Sequence, residues 1–166
     1  MIIVLMGVSG SGKTTIGEAL AARLRWRFLD ADEFHPAANV EKMRAGHALT
    51  DDDRMPWLRR IQDELAAIIA RGESAALACS ALKEAYRKVI AGAGDVRLVY
   101  LAGDYATIDA RLRARHHRYM PATLLASQFE TLEIPRNALA IDIRMSVDEQ
   151  VSAIVDTLVP AQQRAS

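Results

Sequence analysis

Residues 1–15 read MIIVLMGVSGSGKTT, and this stretch decides the fold. Residues 7–14 within it match the phosphate-loop pattern G-x-x-x-x-G-K-[ST]. Glycines at positions 7, 10 and 12 let the backbone turn tightly, so that successive N–H groups can converge on a polyphosphate. Lys13 would place an ammonium group against the β- and γ-phosphates, and the Thr14 hydroxyl can coordinate Mg²⁺. The stretch therefore predicts a nucleotide phosphate site.

Both flanks of this loop support the same interpretation. Six apolar residues precede it and are typical of a short buried strand. Behind the loop, Ile16, Leu20 and Leu24 follow one another at helical spacing. A strand, a glycine loop and a helix in this order aim a helix N-terminus at phosphate. The alternative, a Gly/Ser-rich turn that binds nothing, does not account for both flanks.

Apolar runs and helical patterns alternate along the rest of the chain. Strands are predicted at residues 2–6, 28–29, 75–79, 97–101 and 138–143. One long helix is marked by apolar residues from Trp57 to Ile69 and ends at Gly72. Ser146 and Glu149 form a capping box that opens the last helix. This alternation predicts an α/β fold with a mostly parallel sheet and helices on both faces, and ligands in such sheets bind beyond the carboxyl ends of the strands.

Composition narrows the functional classes. Twenty-one basic and 21 acidic residues cancel, and only 5% of the 166 residues are aromatic, so we expect no nucleic-acid partner. No apolar stretch approaches the ~20 residues of a membrane span, so we expect no membrane partner. The sole cysteine, Cys79, permits no intrachain disulfide, and we expect a cytoplasmic protein. We predict one domain over residues 1–160 and a flexible tail at residues 161–166.

Two carboxylates follow the second predicted strand. Asp30 and Asp32 stand two positions apart, so both can leave the strand toward the phosphate site. We expect Asp30 to help hold the metal ion and Asp32 to accept the proton of a substrate hydroxyl. His35, beside a proline, is a further candidate. The alternative is an Asx turn that caps the following helix.

Candidate binding residues for an anionic substrate occur in two further segments. In the first, Thr50 is a predicted N-cap, and the aspartates after it complement a helix dipole. Arg54 stands inside this acidic run and is a candidate clamp for a substrate carboxylate. In the second, Ser80 and Lys83 follow the third strand. Their alternative roles are a helix N-cap and a solvated lysine, but a cation near a helix N-terminus is disfavoured unless an anion binds there.

A basic cluster lies in the second half of the chain. The cluster consists of Arg111, Arg113, Arg115, His116, His117 and Arg118. Arg111, Arg115 and Arg118 share one helical face. A charge run of this kind is usually a solvated helix face. In a phosphate-loop protein it also fits a mobile lid that closes over ATP, because phosphoryl transfer needs cations beyond the loop lysine.

With these residues in hand, the chain resembles the small gluconate kinases of the P-loop kinase superfamily over nearly its whole length. The resemblance rests on four blocks in chain order: MGVSGSGKTT (6–15), LDADEFHPAANVEKM (29–43), LTDDDRMPWL (49–58), and CSALK (79–83) with SQFETLEIP (127–135) downstream. The first block is shared by many kinases, whereas the second, the third and SQFETLE are specific to this family. One departure is Arg118, which stands at a lid position where histidine is common.

This resemblance implies a P-loop kinase fold: a five-stranded parallel sheet of nucleoside-kinase topology between helices, with a mobile helical lid at roughly residues 111–135. It implies ATP-dependent transfer of the γ-phosphoryl group to the 6-hydroxyl of D-gluconate, with Mg²⁺ as cofactor and commonly a homodimer. The implied ATP-binding residues are Gly7, Ser9, Gly10, Ser11, Gly12, Lys13, Thr14, Thr15, Arg111 and Arg115. The implied substrate-binding residues are Asp32, His35, Arg54, Ser80 and Lys83. The implied catalytic residues are Lys13, Asp32, Arg111 and Arg115, and the metal-binding residues are Thr14 and Asp30.

Two other functions remain alternatives at this point. A kinase resembling shikimate kinases would also use two aspartates after the second strand and an arginine for a substrate carboxylate. The DDDRMPW and SQFETLE blocks argue against it. A non-catalytic nucleotide switch is the second alternative, but the GTPase signatures D-x-x-G and N-K-x-D occur nowhere in the chain.

Overall fold

The computed structural model describes residues 1–45, 47–114 and 122–163 of the chain. Its strands are β1 (Ile2–Met6), β2 (Arg27–Asp30), β3 (Ala75–Ala78), β4 (Val96–Ala102) and β5 (Leu139–Asp142). They form one sheet in the order β2-β3-β1-β4-β5, and every neighbouring pair is parallel. Each predicted strand is confirmed to within one residue at either end.

Helices cover both faces of this sheet, as predicted. The α-helices are α1 (Lys13–Leu24), α2 (Ala37–Arg44), α3 (Asp51–Ala70), α4 (Glu84–Ala91), α5 (Tyr105–Ala114), α6 (Ala122–Thr131) and α7 (Val147–Leu158). Short 3₁₀ segments occur at Ala31–Phe34 and Ala161–Gln163, the second within the segment predicted to be a flexible tail. In the described part of the chain, no helix combines the length and the apolar character that crossing a membrane requires.

Strand β1 lies at the centre of the core. All five of its side chains are fully buried, because alternate residues point into two different layers. Ile3 and Leu5 pack in the layer that contains residues of α1 and α7. Ile2, Val4 and Met6 pack in the layer that contains residues of α3. Burial on both faces explains why this strand is a continuous apolar run.

Local capping signals set the helix ends that matter for the site. The Thr50 hydroxyl accepts the Asp53 N–H at 3.2 Å, and the Asp53 carboxylate accepts the Thr50 N–H at 3.0 Å. The predicted N-cap of α3 is thus confirmed as a full capping box. The Ser146 and Glu149 capping box is confirmed in the same way at the start of α7.

The predicted lid, residues 111–135, includes the end of α5 and all of α6. Leu125 of α6 is only 1% exposed and belongs to the core layer that contains α1. Arg115, His116, His117 and Arg118 lie outside the described residues. The extent and movement of a lid stay predictions.

Candidate active site

The phosphate loop joins β1 to α1 at the centre of the sheet edge. Gly7 and Gly10 have φ angles of 145° and 84°, in the region that favours glycine. A Cβ atom on Gly7 would lie 3.1 Å from the Leu101 carbonyl oxygen, and one on Gly10 would lie 2.9 Å from the Leu112 side chain. Helix α1 begins at Lys13, so the N–H groups of its first turn lack intrahelical acceptors and face the loop. The local chain therefore has the form of an anion-binding nest.

Two loop serines add polar groups to this nest. Ser11 is 1% exposed, and its hydroxyl has no hydrogen-bond partner within the described residues. Such a buried, unpaired hydroxyl is costly unless a ligand or water satisfies it. Ser9 is half-buried, and its N–H donates to the side chain of Gln128 in α6 at 2.7 Å. Thr14 and Thr15 are exposed on the first turn of α1.

Lys13 folds back along the loop. Its ammonium group donates to the carbonyl oxygens of Gly7 at 3.0 Å and Val8 at 2.9 Å. Burial lowers the pKa of Lys13, and the charges of Asp32 and Asp30 oppose that shift. Asp32 and Asp30 therefore lie near enough to Lys13 to act on its charge.

Asp30 ends β2, and Asp32 lies in the turn that follows it. The Asp30 carboxylate accepts the Asp32 N–H at 3.0 Å, which is the Asx turn considered as an alternative. A carboxylate has further lone pairs, so this single bond leaves Asp30 able to contact a metal-bound water. Asp32 is exposed to solvent. The turn and the functional role are thus compatible.

His35 is held firmly beside these acids. Its ring stacks on Trp57 with centroids 4.3 Å apart and planes 12° from parallel. The Asn39 side-chain nitrogen lies 3.4 Å from His35 Nδ1 and also donates to the Asp53 carbonyl oxygen at 2.8 Å. If Nδ1 accepts from Asn39, the neutral ring carries its proton on Nε2. Burial lowers the pKa of His35, a shift that Asp32 opposes and the cationic Arg54 reinforces.

Arg54 and Lys83 converge on the ring of Tyr86. The guanidinium carbon of Arg54 lies 5.7 Å from the ring centroid, and the Lys83 ammonium lies 5.6 Å from it. Lys83 also donates to both carboxylate oxygens of Asp51 at 2.8 Å, and the Tyr86 hydroxyl donates to Asp51 at 2.5 Å. Hydrogen bonds from Lys83 and then Tyr86 lower the pKa of Asp51, and the bond to Asp51 raises the pKa of Lys83. The anion expected near Lys83 is therefore present as Asp51.

The turn that carries Ser80 and Lys83 does not have the helix N-cap at Ser80 that the sequence offers as an alternative. Ser80 does not cap α4: the N-cap residue is Lys83, and Ser80 instead uses its carbonyl oxygen to accept the Gly7 N–H at 3.3 Å. Ala81 has a positive φ of 42°. The buried guanidinium of Arg87 holds this turn by donating to the carbonyl oxygens of Ala81 at 3.0 Å and Leu82 at 2.9 Å.

Of the basic cluster, Arg111 and Arg113 are described, and Arg113 forms an ion pair with Asp109 of the same helix at 2.8 Å. The Arg111 guanidinium donates to the carbonyl oxygen of Ile143, just after β5. This contact puts it at the carboxyl edge of the sheet, on the opposite side of β1 from Asp30 and Lys83. Arg115 lies outside the described residues.

Several residues of the site were not predicted. From sequence, Asp51 is assigned only to the helix dipole and Trp57 only to the apolar face of a long helix. Neither Tyr86 nor Asn39 has a predicted functional role. Their residue types indicate these contacts only weakly, because each side chain contacts a residue that is distant in sequence. Among the described residues, no group of three or more His, Cys, Asp or Glu side chains is arranged to hold a metal ion.

Known proteins resemble this chain over most of its length. A family model described as an AAA domain matches residues 2–135. The thermosensitive gluconokinase of Escherichia coli is 42% identical over 154 residues, which cover 92% of this chain and 82% of that protein. The gluconokinase of Gluconobacter oxydans is 43% identical over 159 residues, which cover 95% of this chain and 88% of that protein.

Solved structures agree with these relatives. A gluconokinase from Sinorhizobium meliloti superposes with a TM-score of 0.82 at 40% identity, covering 90% of this chain and 86% of that one. A shikimate kinase from Aquifex aeolicus superposes with a TM-score of 0.61 at 17% identity, which shows a shared fold alone. The shikimate-kinase alternative is therefore not favoured. Since the curated matches extend over more than nine-tenths of its length, this chain belongs to the gluconokinase family.

Proposed function

We propose that this protein transfers the γ-phosphoryl group of ATP to the 6-hydroxyl of D-gluconate, giving 6-phosphogluconate and ADP. One observation carries the proposal: the phosphate loop lies beside a cationic acceptor site, because the Gly7 N–H donates to the Ser80 carbonyl oxygen at 3.3 Å, in the turn that carries Lys83. The charges of Asp32 and Asp30 act on Lys13, and those of Asp32 and Arg54 act on His35. Arg54 and Lys83 then share the ring of Tyr86. A nucleotide phosphate bound at the loop and a sugar acid bound at Arg54 and Lys83 would meet near Asp32.

The phosphate end of the site would be assembled by the loop. The N–H groups of α1 and the loop residues Gly7, Ser9, Gly10, Ser11, Gly12, Lys13, Thr14 and Thr15 would bind the phosphates of ATP. Lys13 would exchange its two carbonyl acceptors for β- and γ-phosphate oxygens, which are stronger, charged acceptors. Arg111 and Arg115 would add positive charge from the lid as the γ-phosphoryl group is transferred.

Thr14 and Asp30 fit the modest protein contribution that Mg²⁺ needs in such kinases. Mg²⁺ usually keeps several waters and takes one or two protein oxygens besides those of the phosphates. When bound, Mg²⁺ would neutralise the charge that develops on the phosphoryl group during transfer. Thr14 offers an exposed hydroxyl, and Asp30 keeps lone pairs beyond its one bond to Asp32.

At the acceptor end, Arg54 and Lys83 would hold the carboxylate of gluconate. An arginine fork matches a carboxylate bidentately, and a lysine supplies a point charge. Ser80 and His35 would bind the hydroxyl groups of the sugar acid, with His35 in its neutral form because its pKa is lowered. These contacts would direct the 6-hydroxyl toward the γ-phosphate.

In the reaction step, the 6-hydroxyl oxygen would form a bond to the γ-phosphorus. The bond from that phosphorus to the β–γ bridging oxygen would break, and ADP would leave with its electron pair. Asp32 would receive the hydroxyl proton. Because the transition state is loose, we assign Asp32 mainly the orientation of the hydroxyl.

The proposed localisation rests on the single cysteine, and the proposed assembly rests on the family resemblance. We propose a cytoplasmic protein that forms a homodimer. Sedimentation equilibrium should give twice the chain mass of 18.2 kDa. A monomer at micromolar concentration would contradict the dimer without affecting the kinase assignment.

Product analysis tests the proposed reaction. Purified protein, Mg·ATP and ¹³C-labelled gluconate should yield a product whose C6 signal is split by coupling to phosphorus. Phosphorus coupling at any carbon other than C5 and C6 would overturn the orientation described above. A lack of any phosphorylated gluconate would overturn the function.

A further inference from the structure

One segment touches both halves of the site. We define the α6 bridge as Gln128–Glu133, which runs from the last turns of α6 into the residues that follow it. At one end, the side-chain oxygen of Gln128 accepts the N–H of Ser9 at 2.7 Å. This bond ties the helix directly to the phosphate loop across 119 positions of sequence.

At its other end, the bridge holds the turn that carries Lys83. The Glu133 N–H donates to the Leu82 carbonyl oxygen at 2.9 Å. The Glu133 carboxylate accepts the N–H of Glu84 at 2.5 Å, in the first turn of α4. Lys83, the N-cap residue of α4, forms no cap with its own side chain. Glu133 therefore supplies, from a distant segment, the capping carboxylate that a helix start favours.

Apolar contacts fix the positions of the two ends of the bridge relative to each other. Phe129 packs against the core layer that contains α1, and its ring lies 5.5 Å from that of Tyr105 in α5. Leu132 contacts both core layers. A movement of either end would therefore disturb packed side chains, and close-packed cores resist such displacement.

From these contacts we infer that Gln128 and Glu133 are positioning residues, which together with the hydrogen bond from the Gly7 N–H to the Ser80 carbonyl oxygen set the distance between the phosphate loop and the Lys83 turn. The inference rests on the proposed function only for the identity of the ligands that these two loops bind. Phosphoryl transfer depends on in-line alignment of two substrates held by different loops, and a misplacement of 1 Å can reduce the rate about 100-fold. A segment that contacts both loops controls that alignment through the positions of the loops.

Two disruptive variants, one conservative variant and one control variant test the inference. Gln128→Met keeps the length of the side chain and removes its strong acceptor, and Glu133→Ala removes the cap of α4. Glu133→Gln keeps an acceptor for the Glu84 N–H and serves as the conservative variant. Glu130→Ala, an exposed glutamate of α6, is the control for loss of a charged side chain from the helix.

We expect kcat to fall about tenfold or more in Gln128→Met and in Glu133→Ala, because alignment of the substrates is lost. The dissociation constant for ATP, measured without acceptor, should change less than about threefold. Glu133→Gln should recover most of the lost kcat, and Glu130→Ala should match the wild type. A merely structural role would lower the melting temperature and the active fraction without this separation of kcat from ATP binding.

Amide hydrogen exchange supplies a measurement that needs no gluconate. The Ser9 and Glu84 amides should exchange slowly in the wild type, since each is bonded to the bridge. Gln128→Met should accelerate exchange at Ser9 and also at Glu84, and Glu133→Ala should do the same from the other end. Acceleration at the near amide alone, or wild-type kcat in both variants, would overturn the inference. Failure of gluconate phosphorylation in the wild type would overturn the proposed function but leave the exchange result decisive for the bridge.

Discussion

The ammonium group of Lys83 lies 2.8 Å from both carboxylate oxygens of Asp51, although the residues are 32 positions apart. Tyr86 completes the arrangement by donating to the same carboxylate. The cation at the start of α4, which the helix dipole disfavours, is thus balanced by an anion at the start of α3. Lys83 is held in place before any substrate arrives.

Lys83→Met should raise KM for gluconate about tenfold, because a substrate carboxylate loses a charged partner. KM for ATP should stay near the wild-type value. Steady-state kinetics with each substrate varied in turn measures both constants. The same substitution in an Asp51→Asn background separates two roles for the lysine. A persistent rise in KM for gluconate supports direct binding, whereas loss of the effect in that background would mean that Lys83 acts only through Asp51.

Arg54→Lys should raise KM for gluconate far more than KM for ATP. The substitution keeps the positive charge but removes the planar fork that reads a carboxylate bidentately. We expect an increase of about tenfold for gluconate and less than about twofold for ATP. Equal effects on both substrates would instead support a purely structural role for Arg54 within α3.

The parts of this molecule predicted from sequence are those encoded locally. The apolar run before Gly7, the glycine spacing and the Thr50 capping box each lie within a few residues of the structure that they specify. The parallel sheet follows from the alternation of strands and helices. Strand ends, and hence the positions of Asp30 and Lys83 at one edge of the sheet, follow from the same signals.

The contacts that join these parts could not be predicted in this way. Two such contacts are the pair formed by Asp51 and Lys83 and the hydrogen bond from Ser9 to Gln128. Each connects segments that are distant in sequence, and the local pattern of one segment does not indicate the other. Ser80 illustrates the error that results. Its position before a helical pattern favours an N-cap, but the positive φ of Ala81 turns the chain, and α4 begins later.

Arg87→Met should destabilise the fold by about 2 kcal/mol, since the buried Ala81 carbonyl loses its donor. Leu82 keeps the N–H of Glu133 as a second donor, which limits the loss. Urea unfolding at pH 7 measures the change. Lys88→Met is the control, because Lys88 is the exposed neighbour and pairs with Glu84 on the helix surface. Similar midpoints for the two variants would contradict the structural role assigned to Arg87.

Asp53 makes the stability of the protein dependent on pH in the acid range. The hydrogen bond from Lys42 at 2.6 Å, followed by bonds from Thr50, lowers the pKa of Asp53 to about 2. A carboxyl with a depressed folded-state pKa stabilises the fold above its unfolded pKa of about 3.9 and loses that contribution as pH falls toward 2.

Asp53→Asn should therefore lower the urea midpoint at pH 7, and the difference from the wild type should shrink between about pH 4 and pH 2. Parallel urea titrations at several pH values test this dependence. Asp52→Asn is the control, because Asp52 is exposed and lies outside the capping box. A difference that stays constant down to pH 2 would contradict the assigned pKa shift.

The most direct test of the central claim is ADP release from Mg·ATP with gluconate, with shikimate or without an acceptor. Lys13→Met serves as the blank, and its circular dichroism spectrum should match that of the wild type. We expect turnover with gluconate alone, reduced at least about 1000-fold in Lys13→Met, because the loop loses its cation for the phosphates. Turnover with shikimate but not with gluconate, or unchanged turnover in Lys13→Met, would contradict the account.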